Sequence, residues 1–452
     1  MKRTGSILLA VLVWLGTLSS CALPSSQTGR GHFCVGFAEV ELAVDVEEEG
    51  LYVAGYDIGK TPVGVLDLQQ LHALWLEDGS GRSALLISVD CVGLSSASVE
   101  QIRRRLKAFK QESGCGEIHV ISTHTHAGVD TLGLWGPLGV DGKQDAFMQR
   151  LYQAAQTAAY AAYADRCEGT LEYAKTLTDT ALLRDSRDPQ VVDPWLYQLR
   201  FTPSDPQNNG IRLVVYGAHA EALRGDNRLI SGDYPAVMAD CLRQQTGEEL
   251  FFLPGAIGGL VMTQKLVTEP VFDAVANVKE TGRVLAQAAL SETKWRQLEP
   301  VFSSATESFW VQVDNTVFRT YLFLGILQNA TRRTLGGDYL MQTAVTALRL
   351  GDVTLALLPG EIFPELVFGT GREGDPAGLK PLAAQYGVKD LVPVGLADDE
   401  IGYVIPPSDY VLDEKTPYFS EAEDHYEETN SVGRGCAEAL AKAWERALGK
   451  LK

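Results

Sequence analysis

Residues 84–121 read ALLISVDCVGLSSASVEQIRRRLKAFKQESGCGEIHVI, and this stretch decides the fold class. It begins and ends with short apolar runs at residues 84–89 and 118–121, which are typical of buried strands. Between these runs, apolar side chains recur at helical spacing at Val99, Ile102, Leu106 and Phe109. A strand, a helix and a second strand in this order predict a β-α-β unit.

The same alternation of strand-like and helix-like segments continues along the chain. Helical periodicity predicts helices over residues 145–164, 234–245 and 271–290, and a closing helix on Leu440, Trp444 and Leu448. Apolar runs predict strands at residues 171–174, 197–201, 213–216, 250–253, 308–313 and 353–358. No repeat, low-complexity tract or Pro/Gly-rich linker interrupts residues 34–452. The pattern predicts one large α/β or α+β domain over this range.

The composition is that of a folded, acidic protein. Of 452 residues, 45% are hydrophobic and 21% are charged, a balance that permits a large core. The formal net charge of −19 repels nucleic-acid phosphates and anionic lipid headgroups at long range. We therefore expect no nucleic-acid partner.

The N-terminal residues differ from the rest of the chain and predict export. Lys2 and Arg3 precede an apolar run at residues 7–15 and the sequence LSSC, which ends at Cys21, and this is the pattern of a secretory signal. The run is too short to span a bilayer core of about 30 Å. The LSSC end resembles the lipobox of bacterial lipoproteins, which implies removal of residues 1–20, lipidation of Cys21, a tether over 21–33 and anchoring at the outer face of a bacterial cell membrane. A plain signal peptide with an incidental cysteine is the alternative.

Two of the seven histidines lie together directly after the predicted strand at 118–121. Residues 122–128 read STHTHAG, which places His124 and His126 two positions apart. In an extended chain such side chains point to the same side, so both imidazoles can address one ion or one substrate. A pair of hydrogen-bonded structural histidines fits this motif equally well.

Two further metal-capable residues occupy the same position relative to other strands. His219 follows the predicted strand at 213–216, and Glu361 follows the strand at 353–358. Open α/β sheets bind their ligands outside the carboxyl ends of the strands. For each residue alone, a satisfied or solvated side chain is the better interpretation. Three such groups at equivalent strand ends together favour a metal or substrate site.

These residues resemble motifs of the neutral ceramidases, zinc-dependent amidases that cut the N-acyl bond of ceramide. The THTH at residues 123–126 resembles the family's THTHSGP motif. The LISGD at 229–233, downstream of His219, is similar to the sequence that follows the family's second zinc histidine. The PGE at 359–361 resembles its glutamate-bearing segment, and the HYE at 425–427 resembles its RYE. The resemblance covers most of residues 34–435.

The resemblance implies a fold, a ligand set and residue roles. The fold would be a ceramidase-like catalytic domain built on a large mixed sheet, without the C-terminal β-sandwich of the full-length enzymes. One Zn²⁺ would be held by His124, His219, Glu361 and Tyr403. His126 would polarise the substrate or stabilise the oxyanion, and Tyr426 would orient the substrate. For Tyr403, a tyrosine of the hydrophobic core is the alternative.

One departure from the family bears directly on mechanism. The GAIGG at 255–259 stands where the family has GDVSPN, so that Gly258 replaces the proposed serine nucleophile. Without this hydroxyl no acyl-serine forms, and hydrolysis would use water at the zinc directly, unless a shifted alignment brings another serine such as Ser231 to the metal. We predict a zinc-dependent hydrolase of an amide bond in a ceramide-like or other N-acyl substrate, which is a lipid or a small molecule. A catalytically inactive, ligand-binding lipoprotein is the alternative.

Overall fold

The computed structural model describes residues 31–187 and 189–451, so the predicted signal peptide and Cys21 lie outside the described residues. The strands are β1 Phe33–Glu41, β2 Gly64–Val65, β3 Gln70–Glu77, β4 Ser83–Val89, β5 Glu117–Ser122, β6 Cys167–Leu177, β7 Leu183–Arg184, β8 Trp195–Pro203, β9 Ile211–Tyr216, β10 Leu229–Ile230, β11 Glu249–Pro254, β12 Met262–Thr263, β13 Arg296–Gln297, β14 Phe302–Gln312, β15 Thr331–Arg333, β16 Tyr339–Leu350, β17 Val353–Leu357, β18 Glu361–Ile362, β19 Asp390–Val394 and β20 Tyr403–Val404. The α-helices are α1 Ser96–Arg105, α2 Lys107–Ser113, α3 Asp145–Asp165, α4 Tyr234–Thr246, α5 Ala274–Leu290, α6 Thr316–Leu324, α7 Pro364–Phe368, α8 Leu379–Gln385 and α9 Cys436–Lys450.

The larger sheet is mixed and contains nine strands. Its order is β11-β9-β8-β6-β1-β3-β4-β5, and β13 pairs with β6. The pairs β4–β5 and β9–β11 are parallel, whereas the other neighbours are antiparallel. Helices α1 and α2 connect β4 to the parallel β5, which confirms the β-α-β unit, with an interruption of the helix at Leu106. The predicted fold class, an α/β protein with a large mixed sheet, is confirmed.

A second sheet, which the sequence patterns did not separate from the first, has five strands. It runs β14-β16-β17-β19, with β15 on β16, and its β17–β19 pair is parallel. The two sheets pack face to face: Leu74 and Leu86 of the larger sheet share a buried cluster with Leu355 of the smaller one. On the opposite face of β3, Trp75 packs under α1, α2 and α3. Helices α4 and α5 cover the rest of the larger sheet, and α9, which carries the fully buried Trp444, covers the smaller sheet. The layers are helix, sheet, sheet and helix.

Most of the predicted elements are present, with shifted ends. The helix predicted from residue 271 begins at Ala274 because Asp273 caps it by accepting from the backbone nitrogen of Ala276. The strand predicted at 308–313 is longer, since β14 starts at Phe302. The strands β1, β3, β16 and β19 did not emerge from the pattern of apolar runs.

The larger sheet curls until its two edge regions approach each other. The hydroxyl of Ser88 in β4 donates to the carbonyl oxygen of Phe252 in β11 at 2.8 Å. The segment 395–397, directly after β19, contacts both regions, through a bridge to Ile121 and a hydrogen bond to Pro254. The carboxyl ends of β5, β9 and β17 therefore meet in one place.

The described residues contain neither a membrane-spanning helix nor a disulfide. None of their helices is both long and apolar enough to cross a bilayer. Their cysteines are free thiols at positions 34, 91, 115, 167, 241 and 436. The predicted lipid anchor at Cys21 stays a prediction.

Candidate metal centre

Four of the predicted ligands come together at one buried point. His124 follows β5, His219 follows β9, and Glu361 opens β18. Glu361 Oε2 lies 2.8 Å from His219 Nε2 and 3.4 Å from His124 Nε2. Tyr403 is the register partner of Glu361 in the parallel β18–β20 pair, and its phenol is hydrogen-bonded to that carboxylate. Ligand atoms bonded to a tetrahedral ion at about 2.1 Å lie about 3.4 Å apart, so the nitrogen–oxygen distances are close to those around a single ion.

Backbone carbonyls fix the orientation of two of the imidazoles. His124 Nδ1 donates to the carbonyl of Val92 at 2.6 Å, and His219 Nδ1 donates to that of Val261 at 2.8 Å. Because a carbonyl only accepts, each ring carries its proton on Nδ1 and directs Nε2 toward Glu361. Such outer partners are typical of metal-binding histidines. His124 also has a φ of 64°, an uncommon conformation for a residue other than glycine that clusters at functional sites.

His126 faces the same point but is held differently. Its Nε2 lies 3.1 Å from His124 Nε2, while its buried Nδ1 has no hydrogen-bond partner and lies 3.6 Å from a carboxylate oxygen of Glu221. That carboxylate also accepts from the hydroxyl of Tyr56. No carbonyl fixes the proton of His126 on Nδ1, so its Nε2 is free to carry a proton toward the centre. This distinguishes it from the two histidines with carbonyl partners, and the role predicted for it stays a prediction.

The charges at this point are arranged for a cation. Burial raises the pKa of the Tyr403 phenol well above its ordinary value, and the Glu361 charge adds to this effect. Burial opposes ionisation of Glu361, but the imidazoles of His124 and His219 outweigh it and hold its pKa well below the usual range. Burial, with His124 and His219 nearby, lowers the pKa of His126 well below its ordinary value. A bound cation would favour neutral imidazoles and a phenolate in the same space.

Tyr426 lies at the edge of the centre and is 38% exposed. Its ring centroid is 6.3 Å from that of Tyr403. The next residue, Glu427, is fully buried and accepts from the Arg187 guanidinium at 3.0 Å. This ion pair, to which Glu428 adds a second carboxylate at 2.7 Å, fixes the segment that carries Tyr426. Sequence reasoning missed Arg187, because no local pattern distinguishes it from a surface arginine.

The loop at 255–259 has neither a hydroxyl at its centre nor room for one. The amide of Gly258 donates to the carbonyl of Ile362 at 2.9 Å. A Cβ at Gly258 would lie 2.5 Å from the backbone nitrogen of Phe363, which is closer than real contacts allow. The other serine considered, Ser231, donates its hydroxyl to Asp67 at 2.5 Å rather than to an imidazole.

Sequence reasoning also missed Glu400. One oxygen each of Glu400 and Glu361 and a ring nitrogen of His124 all lie within 4.8 Å of one another. Burial, and then the charge of Glu361, raises the pKa of Glu400 well above its ordinary value. The available signal was the acidic run at 398–400, which stands in an apolar context directly before the IGYV sequence at 401–404 that contains Tyr403.

The donor atoms fit a divalent cation that prefers nitrogen and oxygen ligands. Two overlapping groups satisfy the spacing, His124 with His126 and His219, and His124 with Glu361 and Glu400. All of these residues are buried. Imidazole and carboxylate ligands with an open position are typical of catalytic zinc sites. Fold and side chains thus define a protein with a candidate metal centre at the carboxyl ends of its strands.

Two solved structures with a similar fold are ceramidases. The neutral ceramidase from Pseudomonas aeruginosa superposes with a TM-score of 0.71 at 15% sequence identity, over 92% of this chain and 74% of that chain. A ceramidase complexed with C2 gives a TM-score of 0.69 at 15% identity, over 92% of this chain and 75% of the other. No protein-family model and no curated protein matches the sequence. The chain therefore has a neutral ceramidase-like fold, as its motifs predicted.

Proposed function

We propose that this protein is a zinc-dependent hydrolase of N-acyl amides. The observation that carries the proposal is the meeting of His124, His219 and Glu361 from three separate strand ends at one buried point. The similar solved structures, which are ceramidases, support the choice of an amide bond. Ceramide-like lipids and smaller N-acyl compounds are the substrate classes to test.

Each residue of the centre has a role in this proposal. His124, His219 and Glu361 hold the ion, with Tyr403 as a fourth ligand. A bound divalent cation supplies Lewis acidity, which polarises an acyl oxygen and acidifies water. His126, with Nε2 directed into the centre, donates a hydrogen bond to the acyl oxygen as negative charge develops on it. Tyr426, at the exposed edge, orients the substrate.

Water is the proposed nucleophile. The main chain of Phe363 occupies the space that a side chain on Gly258 would need, and the hydroxyl of Ser231 is bonded to Asp67. A single attack by water leaves no acyl-enzyme. With a slow amide or ester substrate we expect no burst of the first product and no acyl mass adduct. An acylated serine in active protein would contradict direct attack by water.

The second candidate function is binding without catalysis. The packing at Gly258 favours it, since the position at which the related family carries its serine has no room for a side chain. The orientation of His124 and His219 by backbone carbonyls favours the enzyme, because a binding protein has less need of metal ligands held in place. A protein that retains one zinc per chain but turns over no N-acyl amide would be the binder.

The metal content of the purified protein tests the site. We expect about one zinc per chain by elemental analysis, since ligands of these types define one mononuclear centre. Dialysis against a chelator should remove the metal, and added zinc should restore it. Protein that contains no divalent metal after reconstitution would contradict the proposal.

We also propose export and a lipid anchor at Cys21, which would place the centre at the outer face of a bacterial cell membrane. The support is the basic start, the apolar run and the LSSC sequence of the N-terminus. Cys21→Ser should release the protein from the membrane fraction into the periplasm or medium. An unchanged membrane fraction would contradict the anchor. The membrane and the substrate are the proposed partners, and the net charge of −19 opposes binding to nucleic acids.

A further inference from the structure

Glu400 is a buried carboxylate that the proposed ligand set leaves unused. It is 8% exposed, and its Oε2 has no hydrogen-bond partner. The other oxygen, Oε1, accepts from the backbone nitrogen of Gly402 at 2.6 Å, so the carboxylate is held by one end only. A buried, unsatisfied carboxylate oxygen costs free energy unless something occupies its open side.

The packing around Glu400 brings it beside the metal centre. A Cβ on Gly93 would lie 2.8 Å from Cγ of Glu400, so only a glycine leaves room for the glutamate. The preceding residue, Val92, supplies the carbonyl that orients His124. The backbone at Val92 and Gly93 therefore both fixes the imidazole of His124 and makes space for the carboxylate of Glu400.

We propose that Glu400 is a further ligand of the metal ion held by His124, His219 and Glu361. A carboxylate oxygen of Glu400, a ring nitrogen of His124 and a carboxylate oxygen of Glu361 lie within 4.8 Å of one another. Two atoms bonded to one ion at about 2.1 Å are at most about 4.2 Å apart, so a shift of about half an ångström brings the carboxylate into range. A reorientation of the carboxylate that keeps its hydrogen bond to Gly402 would produce that shift.

This inference rests on the proposed function, since it concerns the same ion. It gives the centre two imidazoles and two carboxylates in addition to the phenol of Tyr403. A set so rich in oxygen suits five-coordinate as well as four-coordinate geometry and reduces the preference for zinc over harder divalent ions. The motifs of the related family did not point to Glu400.

Metal binding by apo protein tests the inference. Competition with a chromophoric chelator would give the affinities of wild type and Glu400→Gln for Zn²⁺ and Co²⁺. We expect Glu400→Gln to bind more than about 100-fold more weakly, because loss of an outer partner already costs about 10- to 100-fold and loss of a direct ligand should exceed this. Glu365→Gln is the matched control, because Glu365 also has an unpartnered buried oxygen but belongs to neither metal-capable group. Its affinity should stay within about 2-fold of wild type, well below the lower limit for losing even an outer partner.

Two further measurements separate the possible outcomes. The visible spectrum of the Co²⁺ protein should change between wild type and Glu400→Gln, because removal of a ligand changes the coordination geometry. If Glu400→Gln does not fold, a zinc-bound crystal structure of wild type decides, with Glu400 Oε2 expected at about 2.0–2.2 Å from the ion. Unchanged affinity and spectrum, or an oxygen well outside that distance, would overturn the role of Glu400 and leave the proposed function intact. Failure of wild type to bind either metal would overturn both.

Discussion

The candidate metal centre and the loop at 255–259 are neighbours. The fold directs ligand atoms into the centre but leaves no space for a side chain at Gly258 of the loop. At the centre, side chains from three strand ends direct nitrogen and oxygen atoms at a common point. In the loop, Gly258 is pressed against the backbone of Ile362 and Phe363, the two residues that follow Glu361. The same segment thus supplies a candidate metal ligand and closes the space beside it. The difference predicts that this fold can bind an ion without supplying a protein nucleophile.

Substitution of Asp398, which links β5 to the segment that carries Tyr403, should have the largest effect on stability. Asp398 lies five residues before Tyr403 and accepts from His119 Nδ1 at 2.6 Å and from Arg103 at 2.8 Å, which ties β5 to the tyrosine segment. Asp398→Asn removes the nearer of two carboxylates from the buried His119, which keeps only Glu117, and leaves the partly exposed Arg103 with Glu100 alone. We expect a loss of about 3–5 kcal/mol in the free energy of unfolding, measured with denaturant near pH 6.

The same pair gives a pH dependence with a defined sign. Burial opposes protonation of His119, but Asp398 and Glu117 outweigh it and raise its pKa from 6.5 to about 9. A pKa that is higher in the folded than in the unfolded state stabilises the folded protein. This stabilisation is complete below the unfolded-state pKa and is lost as the pH rises through the folded-state pKa. The stability gap between wild type and Asp398→Asn should therefore shrink from pH 6 toward pH 10. A gap that widens over this range would contradict the charged pair.

Removal of one proposed ligand should weaken zinc binding without changing the loop at 255–259. His219→Ala should lower zinc affinity by about 100-fold or more, because one ligand in four supplies a corresponding share of the about 10–16 kcal/mol typical of protein zinc sites. His72→Ala is the control, since His72 is paired with Glu39 in a groove outside the centre. Retention of stoichiometric zinc by His219→Ala would remove this histidine from the ligand set.

A serine side chain at position 258 should lower the stability of the protein and should not supply a nucleophile. Gly258→Ser places a Cβ against the backbone of Phe363, and overpacking of this kind costs about 1–3 kcal/mol. Gly435→Ser is the matched control, because a Cβ there meets nothing within 4 Å. Thermal unfolding compares the two variants. A Gly258→Ser protein as stable as wild type that forms an acyl adduct would show that the loop opens to a nucleophile after all.

The smallest effect is expected at the exposed edge. Tyr426→Phe removes one hydroxyl, and a single neutral hydrogen bond contributes about 0.5–1.5 kcal/mol, so kcat/KM should fall by roughly 2- to 10-fold. The zinc content should not change. Tyr386→Phe, at an exposed tyrosine that lines another cavity, should leave kcat/KM unaltered. Loss of zinc from Tyr426→Phe would give Tyr426 a structural role in the centre.

The sequence predicted the centre better than its surroundings. His124, His219 and Glu361 follow apolar strands, and the carboxyl ends of such strands collect ligands, so the local pattern favoured a common site without showing that the three residues meet. The role of Gly93 in admitting Glu400, and the contact of Gly258 with Phe363, arise between segments far apart in the chain. No periodicity or motif encodes such contacts. The second sheet was not predicted for a similar reason, because β16 and β19 are defined by the strands with which they pair in space.

Metal-dependent turnover tests the central claim most directly. Chelated protein and protein reconstituted with zinc would be given a panel of N-acyl amides that differ in acyl length and amine, and release of the amine would be followed together with metal occupancy. The account predicts hydrolysis of at least one class of amide, its loss on chelation and its return with about one zinc per chain. Full zinc occupancy without turnover of any amide, or hydrolysis that continues in metal-free protein, would contradict it.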